Sequence, residues 1–294
     1  MSVSPPRIKG PPLNSLRAFE AAARLGSFSI AADELCVTPG AVAQHIKALE
    51  AWTEKPLFLR HAQGVELTEL GKEILPKFIT AFDHLGEAIH SLRSKAAPQH
   101  LKIAALPSIA QLWLTPKLPL IRAKLPDVRI SITALETPPN LLREPYDISI
   151  FFKVVDEKFN EIIIDSNNLF PVCIPKIAEN LTCFKDMGKY DLLHDSLWLN
   201  DWQDWLGEFS LSHKIDIRGP VYSLYSLAVE EALNGAGILM AHEALVKHHL
   251  KSGALVAPFK QQVRRPEKLV VSVANTVQNS ALLSLLIAAF ERYD

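Results

Sequence analysis

Two runs of apolar residues at helical spacing flank the segment 36–39 (Cys-Val-Thr-Pro), and this junction constrains the fold more than any other feature. The first run is Phe28, Ala31 and Leu35, and the second is Val42, Ile46 and Leu49. Thr38 is a favourable N-cap, and Pro39 suits the first helical position because the N–H that proline lacks has no helical partner there. The pattern therefore predicts a helix, a tight turn and a second helix.

The residues around this pair of helices extend the prediction to a small domain. An earlier stripe of Leu16, Phe19 and Ala23 predicts a preceding helix. Residues 56–67 have the pattern of a short hairpin with Gln63 and Gly64 near its tip. Three helices and a hairpin make a winged helix-turn-helix, which we assign to residues 1–67.

A long helix is predicted to follow, beginning near Thr68 and running to about Ser94. Its apolar residues alternate by three and four, the spacing of a coiled-coil seam: Leu75, Phe78, Phe82, Leu85, Ile89 and Leu92. We interpret residues 68–97 as a dimerisation helix and hinge. The alternative is a single amphipathic helix that packs on its own domain.

Residues 98–294 alternate strand and helix patterns, which is typical of an α/β domain, and we expect mainly parallel sheets. A short helix is expected near residues 140–143. Parallel sheets bind ligands outside the carboxyl ends of their strands, so any small-molecule site should lie there. Core packing is the favoured role of Trp198, Trp202 and Trp205, and stacking on a ligand is the alternative.

Composition excludes several classes of protein. The chain has 294 residues, a net charge of −1 and three cysteines, with no stretch of about 20 apolar residues and no apolar N-terminal signal segment. We therefore expect a cytoplasmic protein that does not contact a membrane and has no metal or cofactor. The cysteines are expected to be reduced, and a redox pair of Cys173 and Cys183 is the alternative. With so little net charge, a nucleic-acid partner has to be argued from architecture.

The N-terminal run closely resembles the LysR-type transcriptional regulators, most of all in GSFSIAADELCVTPGAVAQHIKALE (residues 26–50). The resemblance continues more weakly through EEALNGAGILMAHEALVKHHLKSGALVAPF (residues 230–259). It is greatest to the subgroup of glycine-cleavage activators and β-lactamase regulators.

This resemblance implies an α+β protein with a winged helix-turn-helix, a long linker helix and a two-lobed effector domain like periplasmic binding proteins. It also implies a homodimer, often a tetramer, that binds operator DNA and a small molecule and touches RNA polymerase. The effector domain would span 98–294, with lobe I at about 98–166 and 265–294 and lobe II at about 167–264. The chain would cross between the lobes near 164–169 and 261–267.

The candidate DNA-binding residues lie on the helix-turn-helix and its wing: Ser27, Thr38, Pro39, Gly40, Ala43, Gln44, Lys47, Arg60 and Gln63. With Val42 and Ile46 inward, a rotation of about 100° per residue puts Gln44 and Lys47 on the opposite face. Gln44 can form a bidentate contact to adenine, whereas Lys47 and Arg60 suit phosphates. A solvated polar helix residue is the alternative for Gln44.

The family often has serine at position 43 and arginine at positions 44 and 63, where this chain has Ala43, Gln44 and Gln63. We infer a weaker electrostatic share of DNA binding, or a different operator preference.

The candidate effector-binding residues follow strands or open helices: Ser108, Thr137, Phe151, Ser223, Tyr225 and Ser226. A simple N-cap is the alternative for each serine. Relatives often carry acidic residues near 222–225, and this chain carries aromatic and hydroxyl side chains there. We therefore expect an anionic or aromatic effector.

An enzyme is the first competing class, but the sequence has no Gly-x-Ser-x-Gly, Walker, GxGxxG or HExxH motif. A solute-binding protein or an adaptor is the second, with a helix-turn-helix that has lost strong DNA affinity. The prediction is a DNA-binding transcription regulator controlled by a small molecule.

Overall fold

The computed structural model describes residues 10–61, 64–96, 100–155, 161–211, 215–275, 277 and 281–291. The chain divides into two compact units, residues 1–88 and 89–294, and each is described by itself. Gln63, at the predicted wing tip, lies outside the described residues.

The N-terminal unit begins with three helices, α1 (Leu13–Leu25), α2 (Phe28–Leu35) and α3 (Pro39–Thr53). Gly26 ends α1 in the left-handed region at φ +66°, which a residue with a side chain rarely adopts. Strands β1 (Phe58–His61) and β2 (Gly64–Leu67) form an antiparallel hairpin. The predicted winged helix-turn-helix is therefore confirmed.

Phe19 is at the centre of this unit's core and is fully buried. Its ring makes edge-on contacts with Phe58, at a centroid distance of 5.8 Å, and with Phe78, at 5.5 Å. Such aromatic pairs contribute about 0.5–1.5 kcal/mol each beyond the area that they bury. The wing and the start of the next helix are thus tied to α1.

Helix α4 (Glu69–Ala96) is the longest in the described chain. Thr68 precedes it and accepts the N–H of Gly71 at its hydroxyl (3.2 Å), which satisfies one of the free donors of the first turn. Pro76 lies in the second to third turn, and the helix continues past it.

The C-terminal unit opens with strands β3 (His100–Ala105), β4 (Arg129–Ala134), β5 (Ile148–Lys153) and β6 (Glu161–Asp165). Between β3 and β4 the chain forms a wide helical turn, Ile109–Leu114, and helix α5 (Leu118–Lys124). Residues 141–143 form a turn, so the short helix expected there is absent from this described segment. Two internal hydrogen bonds of Asn140 with Glu144 and Leu142 favour the turn over a helix.

The second sheet is formed by the middle of the unit. Its elements are β7 (Asn168–Val172), α6 (Pro175–Ala178), β8 (Asp191–Asp195), α7 (Asp201–Glu208), β9 (Val221–Tyr222), α8 (Tyr225–Leu233), β10 (Gly237–His242), α9 (Glu243–Ser252) and β11 (Val263–Arg264). The chain then returns to the first sheet through β12 (Lys268–Val273) and ends with α10 (Ala281–Glu291).

Two five-stranded sheets therefore define two lobes. Lobe I has the order β4-β3-β5-β12-β6, and lobe II has the order β11-β7-β10-β8-β9. The chain passes between them after β6 and again after β11. These connections and the two sheets confirm the two-lobed fold class.

Mainly parallel sheets were a wrong expectation, because both sheets are mixed. In lobe I, β3 runs parallel to β4 and β5, but β12 is antiparallel to β5 and β6. In lobe II, β10 is parallel to β8 but antiparallel to β7. Each of these antiparallel pairs includes β7 or β12, the two strands that enter a lobe directly from the other lobe. A parallel pair needs a crossover connection that carries the chain back along the sheet, and neither strand is preceded by one.

The lobes share apolar packing. One core cluster includes Ile103 and Ile150 of lobe I together with Leu193 and Tyr225 of lobe II. A second cluster is built around Trp202 and Trp205 of lobe II, in agreement with the packing role predicted for them. Within the described residues, no helix is both long and apolar enough to cross a bilayer.

Candidate nucleic-acid interface and effector cleft

Two side-chain caps fix the starts of α2 and α3. The N–H of Ile30 donates to Ser27 Oγ (3.3 Å), and the N–H of Ala41 donates to Thr38 Oγ1 (3.2 Å). Pro39 occupies the first turn of α3. Such caps stabilise a helix by about 1 kcal/mol each, so these residues set the position of the recognition helix whether or not they touch DNA.

The face that α3 presents to solvent agrees with the helical wheel. Val42, Ile46 and Leu49 are buried, whereas the side chains of Gln44 and Lys47 are exposed. Gly40 is exposed at the start of the helix, and Ala43 is partly buried on its flank. The polar side chains on this face are therefore available to a partner.

Arg17 of α1 was missed by the sequence analysis. With Asn14 it lines a small pocket of about 130 Å³ beside the first turns of α3, shared with Val42 and His45. In the part of the chain that the structure describes, neither Arg17 nor Lys47 forms an ion pair. Arg24, by contrast, binds Glu20 (3.0 Å) and Glu34 (2.5 Å). The signal for Arg17 is tertiary, because α1 and α3 are separated by a whole helix in sequence.

The wing is only partly described. Arg60 belongs to β1, where it pairs with Val65, but its side chain lies outside the described residues, as does the whole of Gln63. The two wing candidates therefore stay predictions.

The apolar stripe of α4 divides into two halves. Leu75 and Phe78 pack against the core of the N-terminal unit, as the single-helix alternative required. Leu85, Ile89 and Leu92 are exposed by 43%, 45% and 71%, and Phe82 is half-buried. Only the second half of the predicted seam is thus open to a partner.

A cleft of about 190 Å³ opens between the lobes, at the carboxyl ends of β3 and β8 and the start of α8. Its lining includes Ser108 of lobe I and Ser223 and Tyr225 of lobe II, three of the six predicted effector residues. Ser108 is more than a hundred positions from Ser223 and Tyr225 in sequence.

The other three predicted effector residues do not line this cleft. Phe151 is 3% exposed and packs in a core cluster with its neighbour Ile150, because both faces of β5 are covered at this point. Thr137 is exposed next to a lining residue, Glu136, and Ser226 lies one position into α8 beyond the lining. Strand order alone could not distinguish these positions.

Ser108 is the unusual hydroxyl of the cleft. Its side chain is 5% exposed, and its Oγ has no hydrogen-bond partner among the described residues. It does not cap the helical turn that it precedes, since its backbone is already helical (φ −62°, ψ −41°). A buried hydroxyl without a partner costs about 1–3 kcal/mol, which a ligand acceptor or donor can recover.

Two carboxylates in the lining were missed from sequence, Asp195 at the end of β8 and the exposed Glu136. Asp195 is 5% exposed, and its Oδ1 accepts the N–H of Leu197 (2.9 Å). Burial raises the pKa of Asp195, against the lowering effect of backbone N–H groups of Leu197 and Trp198. Strand β8 itself was not recognised in the sequence, so its terminal carboxylate could not be placed.

A buried polar cluster lies behind the cleft, centred on His242 at the end of β10. Its Nδ1 is 2.9 Å from Asn167 Oδ1, and its Nε2 is 2.9 Å from Asp201 Oδ2. Asp201 also accepts a hydrogen bond from Arg265 (2.6 Å). Asn167 and Arg265 lie on the two connections between the lobes, so the cluster ties both connections to lobe II.

Aromatic rings join this cluster to the cleft. The ring of His242 contacts Trp198, a cleft residue, at a centroid distance of 3.9 Å, and stacks on Phe152 of lobe I at 5.4 Å. The N–H of His242 donates to the hydroxyl of Tyr225 (3.1 Å), whose pKa is raised by burial. Trp198 thus lines the cleft, unlike the other two tryptophans.

The cysteines do not support the redox alternative. All three are free; Cys173 is buried and Cys183 is exposed. Burial raises the pKa of the Cys173 thiol to about 11, so that it stays protonated and unreactive near neutral pH.

A winged helix-turn-helix joined through a long helix to a two-lobed α/β domain defines a DNA-binding regulator that responds to a small molecule. Residues 13–72 match the family described as bacterial regulatory helix-turn-helix protein, lysR family, and residues 95–293 match the LysR substrate binding domain. The chain belongs to the LysR family of transcription regulators, and it is a regulator, not an enzyme.

Relatives agree with this assignment. The chain is 32% identical to the glycine cleavage system transcriptional activator of Escherichia coli over 259 residues, covering 85% of this chain and 83% of the relative. It is 30% identical to the transcriptional activator AmpR of Providencia stuartii, over 84% of this chain and 85% of that protein. The subgroup inferred from the sequence is confirmed.

Solved structures share the fold. ArgP from Mycobacterium tuberculosis has a TM-score of 0.53 and 19% identity, and the match covers 97% of each chain. The AmpR effector binding domain from Citrobacter freundii has a TM-score of 0.52 and 19% identity, covering 66% of this chain and 96% of that domain.

Proposed function

We propose that α3 enters the major groove of operator DNA with Gly40, Ala43 and Gln44 towards the bases. The exposed face opposite Val42 and Ile46, set by the Thr38 cap, is the observation that carries this proposal. A glutamine can form two hydrogen bonds with adenine N6 and N7, worth about 1–3 kcal/mol of discrimination. Ala43 and Pro39 offer only apolar contact, for example to a thymine methyl group.

Phosphate contacts come from the cations beside this face. Lys47 is exposed on α3, and Arg17 of α1 lies beside the first turns of the same helix. Neither is held by a carboxylate in the described residues, so each is free to neutralise a phosphate, in contrast to Arg24. Arg60 and Gln63 on the wing keep their assigned roles as a phosphate contact and a wing-tip contact.

The protein acts as a dimer through the second half of α4, using Phe82, Leu85, Ile89 and Leu92. Three of these side chains are exposed large apolar groups on one helix, which a soluble chain covers by self-association. Two such dimers associate into a tetramer. The regulator also contacts RNA polymerase, through a surface that we do not assign.

The effector binds in the cleft between the lobes, at Ser108, Ser223 and the start of α8. The unpartnered hydroxyl of Ser108 supports this position. A ligand that contacts both lobes favours the conformations in which they are close, and this shift of population changes the geometry of the oligomer on DNA.

The first experiment is a footprint and gel shift of the purified protein on its own upstream intergenic DNA, comparing Gln44→Ala with the wild type. We expect protection of an extended palindromic region, and a loss of about 5- to 100-fold in discrimination against altered adenine positions for Gln44→Ala. The control is Gln203→Ala, an exposed glutamine on α7 of the effector domain.

Equal protection by wild type and Gln44→Ala at every base pair would remove Gln44 from the groove. Absence of selective binding by the wild type at low salt would favour the alternative of a small-molecule-binding or adaptor protein.

A second experiment measures the mass of the protein by light scattering after Ile89→Lys and Leu92→Lys are introduced together. We expect the dimer or tetramer to dissociate towards monomer, because the two new lysines of each protomer, four in all, would bury like charges in the seam. Glu73→Lys, at an exposed position of the same helix, is the control. An unchanged mass would contradict the seam.

A further inference from the structure

The charges that line the cleft disagree with the anionic effector expected from sequence. Asp195 and Glu136 line it, and none of its described lining residues is Lys, Arg or His. An effector that carries only negative charge would face two carboxylates without a cation. The lining therefore favours a ligand that brings a positive charge of its own.

Of the two carboxylates, Asp195 is the one that a positively charged ligand would stabilise more, because it is buried and Glu136 is exposed. Asp195 is 5% exposed, and no Lys or Arg side chain forms an ion pair with it in the described part of the chain. Burial is the largest influence on its pKa and raises it; the backbone N–H groups of Leu197 and Trp198 and the nearby His242 lower it by less, so the charged form is incompletely compensated. A ligand ammonium group next to it would supply the missing opposite charge.

The same cleft also contains groups that can bind a negatively charged carboxylate. Helix α8 has nine residues, no side chain caps its first turn, and Ser223, Leu224 and Tyr225 at its start line the cleft. The free N–H groups of a helix N-terminus bind carboxylates. The buried and unpartnered Oγ of Ser108, on the facing lobe, adds an independent hydroxyl donor to this end of the site.

The size and the apolar lining limit the rest of the ligand. The cleft volume of about 190 Å³ is smaller than the roughly 300–1,000 Å³ of sites for drug-sized molecules. Leu197, Trp198 and Leu224 add apolar surface. The enclosed part of the cleft therefore favours a ligand with a short side chain beside the two charged groups.

We propose that the effector is a small zwitterion of the α-amino-acid type. Its ammonium group pairs with Asp195, with Glu136 at the cleft entrance, and its carboxylate binds the start of α8 and the hydroxyl of Ser108. The proposal rests on the proposed effector site, and it names the chemical class that this site takes.

The test is thermal unfolding and calorimetric titration of the full-length protein with the proteinogenic amino acids in both enantiomers. We expect at least one small member to raise the Tm by roughly 3 °C at ten times its Kd. For that amino acid, the corresponding carboxylic acid without the amino group and the amine without the carboxylate should each bind at least about tenfold more weakly.

Asp195→Asn should weaken binding of the amino acid by roughly 10- to 100-fold, whereas the affinity for its deaminated acid should stay the same or rise, because a like charge is removed. Asp191→Asn is the matched control, since this exposed aspartate begins the same strand outside the cleft. If Asp195→Asn does not fold, Glu136→Gln at an exposed position tests the same charge, with a smaller expected loss.

Two results would overturn the inference: no amino acid binds, or the deaminated acid binds as tightly as the amino acid. A parallel titration with short mono- and dicarboxylates from acetate to citrate separates the two proposals. One outcome is that a dicarboxylate binds, that Ser108→Ala weakens its binding and that Asp195→Asn strengthens it. This outcome would support the effector cleft and contradict the zwitterionic effector. If neither the amino acids nor the carboxylates bind while the protein still protects its operator, the proposed effector site is wrong as well, and only the DNA-binding role is supported.

Discussion

The recognition face of α3 and the effector cleft use similar polar side chains in opposite ways. On α3, the hydroxyl of Thr38 is satisfied inside its own helix, and the side chains of Gln44 and Lys47 extend into solvent. In the cleft, the hydroxyl of Ser108 is buried without a partner, and Asp195 is buried without a cation from Lys or Arg in the described chain. An interface for DNA, a large and rigid polyanion, needs exposed side chains spaced to match the bases and phosphates. A site for a small molecule can instead hold buried polar groups without hydrogen-bond or charge partners, which the ligand then provides.

The largest expected effect tests how strongly the region behind the cleft depends on buried charge. Asp201→Asn removes the negative charge that faces both His242 and Arg265, while Asp204 still pairs with Arg265, and we expect the free energy of unfolding of the effector domain to fall by about 2 kcal/mol. The comparison is Glu34→Gln on α2, which removes an exposed partner of Arg24 and should cost about 0.5 kcal/mol or less. Denaturant unfolding measures both, and equal losses would erase the distinction between the two regions.

The next effect concerns the exposed cations of the DNA-binding unit. Lys47→Ala should weaken binding to all operator variants alike and reduce the slope of log affinity against log salt by about 1, because one phosphate contact is lost. Arg24→Ala, which removes a cation already bound by two glutamates, is the control and should leave the slope unchanged. A change in base preference with an unchanged slope would place Lys47 at a base instead.

A smaller effect contrasts the two hydroxyls directly. Thr38→Ala should lower the stability of the DNA-binding unit by about 1 kcal/mol, since the cap of α3 is lost. Ser108→Ala should leave the stability of the ligand-free protein within about 0.5 kcal/mol or raise it, because no hydrogen bond is broken. A large loss for Ser108→Ala would show that the hydroxyl is satisfied within the protein.

The smallest effect is a pH dependence. Burial raises the pKa of Asp195 in the folded state above its unfolded value, so its ionised form costs stability at neutral pH, and this cost disappears as the pH falls through the folded-state pKa. We expect Asp195→Asn to be slightly more stable than the wild type at pH 7, with a difference that shrinks towards pH 4. Unfolding by guanidinium across this range measures it.

Asp186 provides a control of opposite sign. Hydrogen bonds from Lys189, Thr182 and Cys183 hold the pKa of Asp186 well below its usual range. Its contribution to stability is therefore present at neutral pH and lost as the pH falls. Asp186→Asn should lower stability at pH 7, and the same sign for both variants would contradict the argument for Asp195.

The sequence alone determined the DNA-binding unit. Its helices, their caps and the exposed face of α3 follow from apolar periods of three and four and from Thr38 and Pro39, all within about forty consecutive residues. The family resemblance was also visible in the sequence, and it was this resemblance that implied two lobes; the alternation of strand and helix patterns was only consistent with them. Local signals suffice when the residues that cooperate are neighbours in sequence.

The tertiary structure decided the cleft and which apolar residues of α4 are buried. Ser108, Asp195 and Ser223 line one cleft only because the two sheets pack so that the ends of β3 and β8 and the start of α8 face the same space. Packing showed that Phe151 is a core residue and does not line the effector cleft. It also showed that Leu75 and Phe78 contact the core of the N-terminal unit, and no local sequence pattern indicates either contact. Burial is a property of the whole fold, so the sequence could name candidate groups, and only long-range contacts could decide which of them remain unsatisfied.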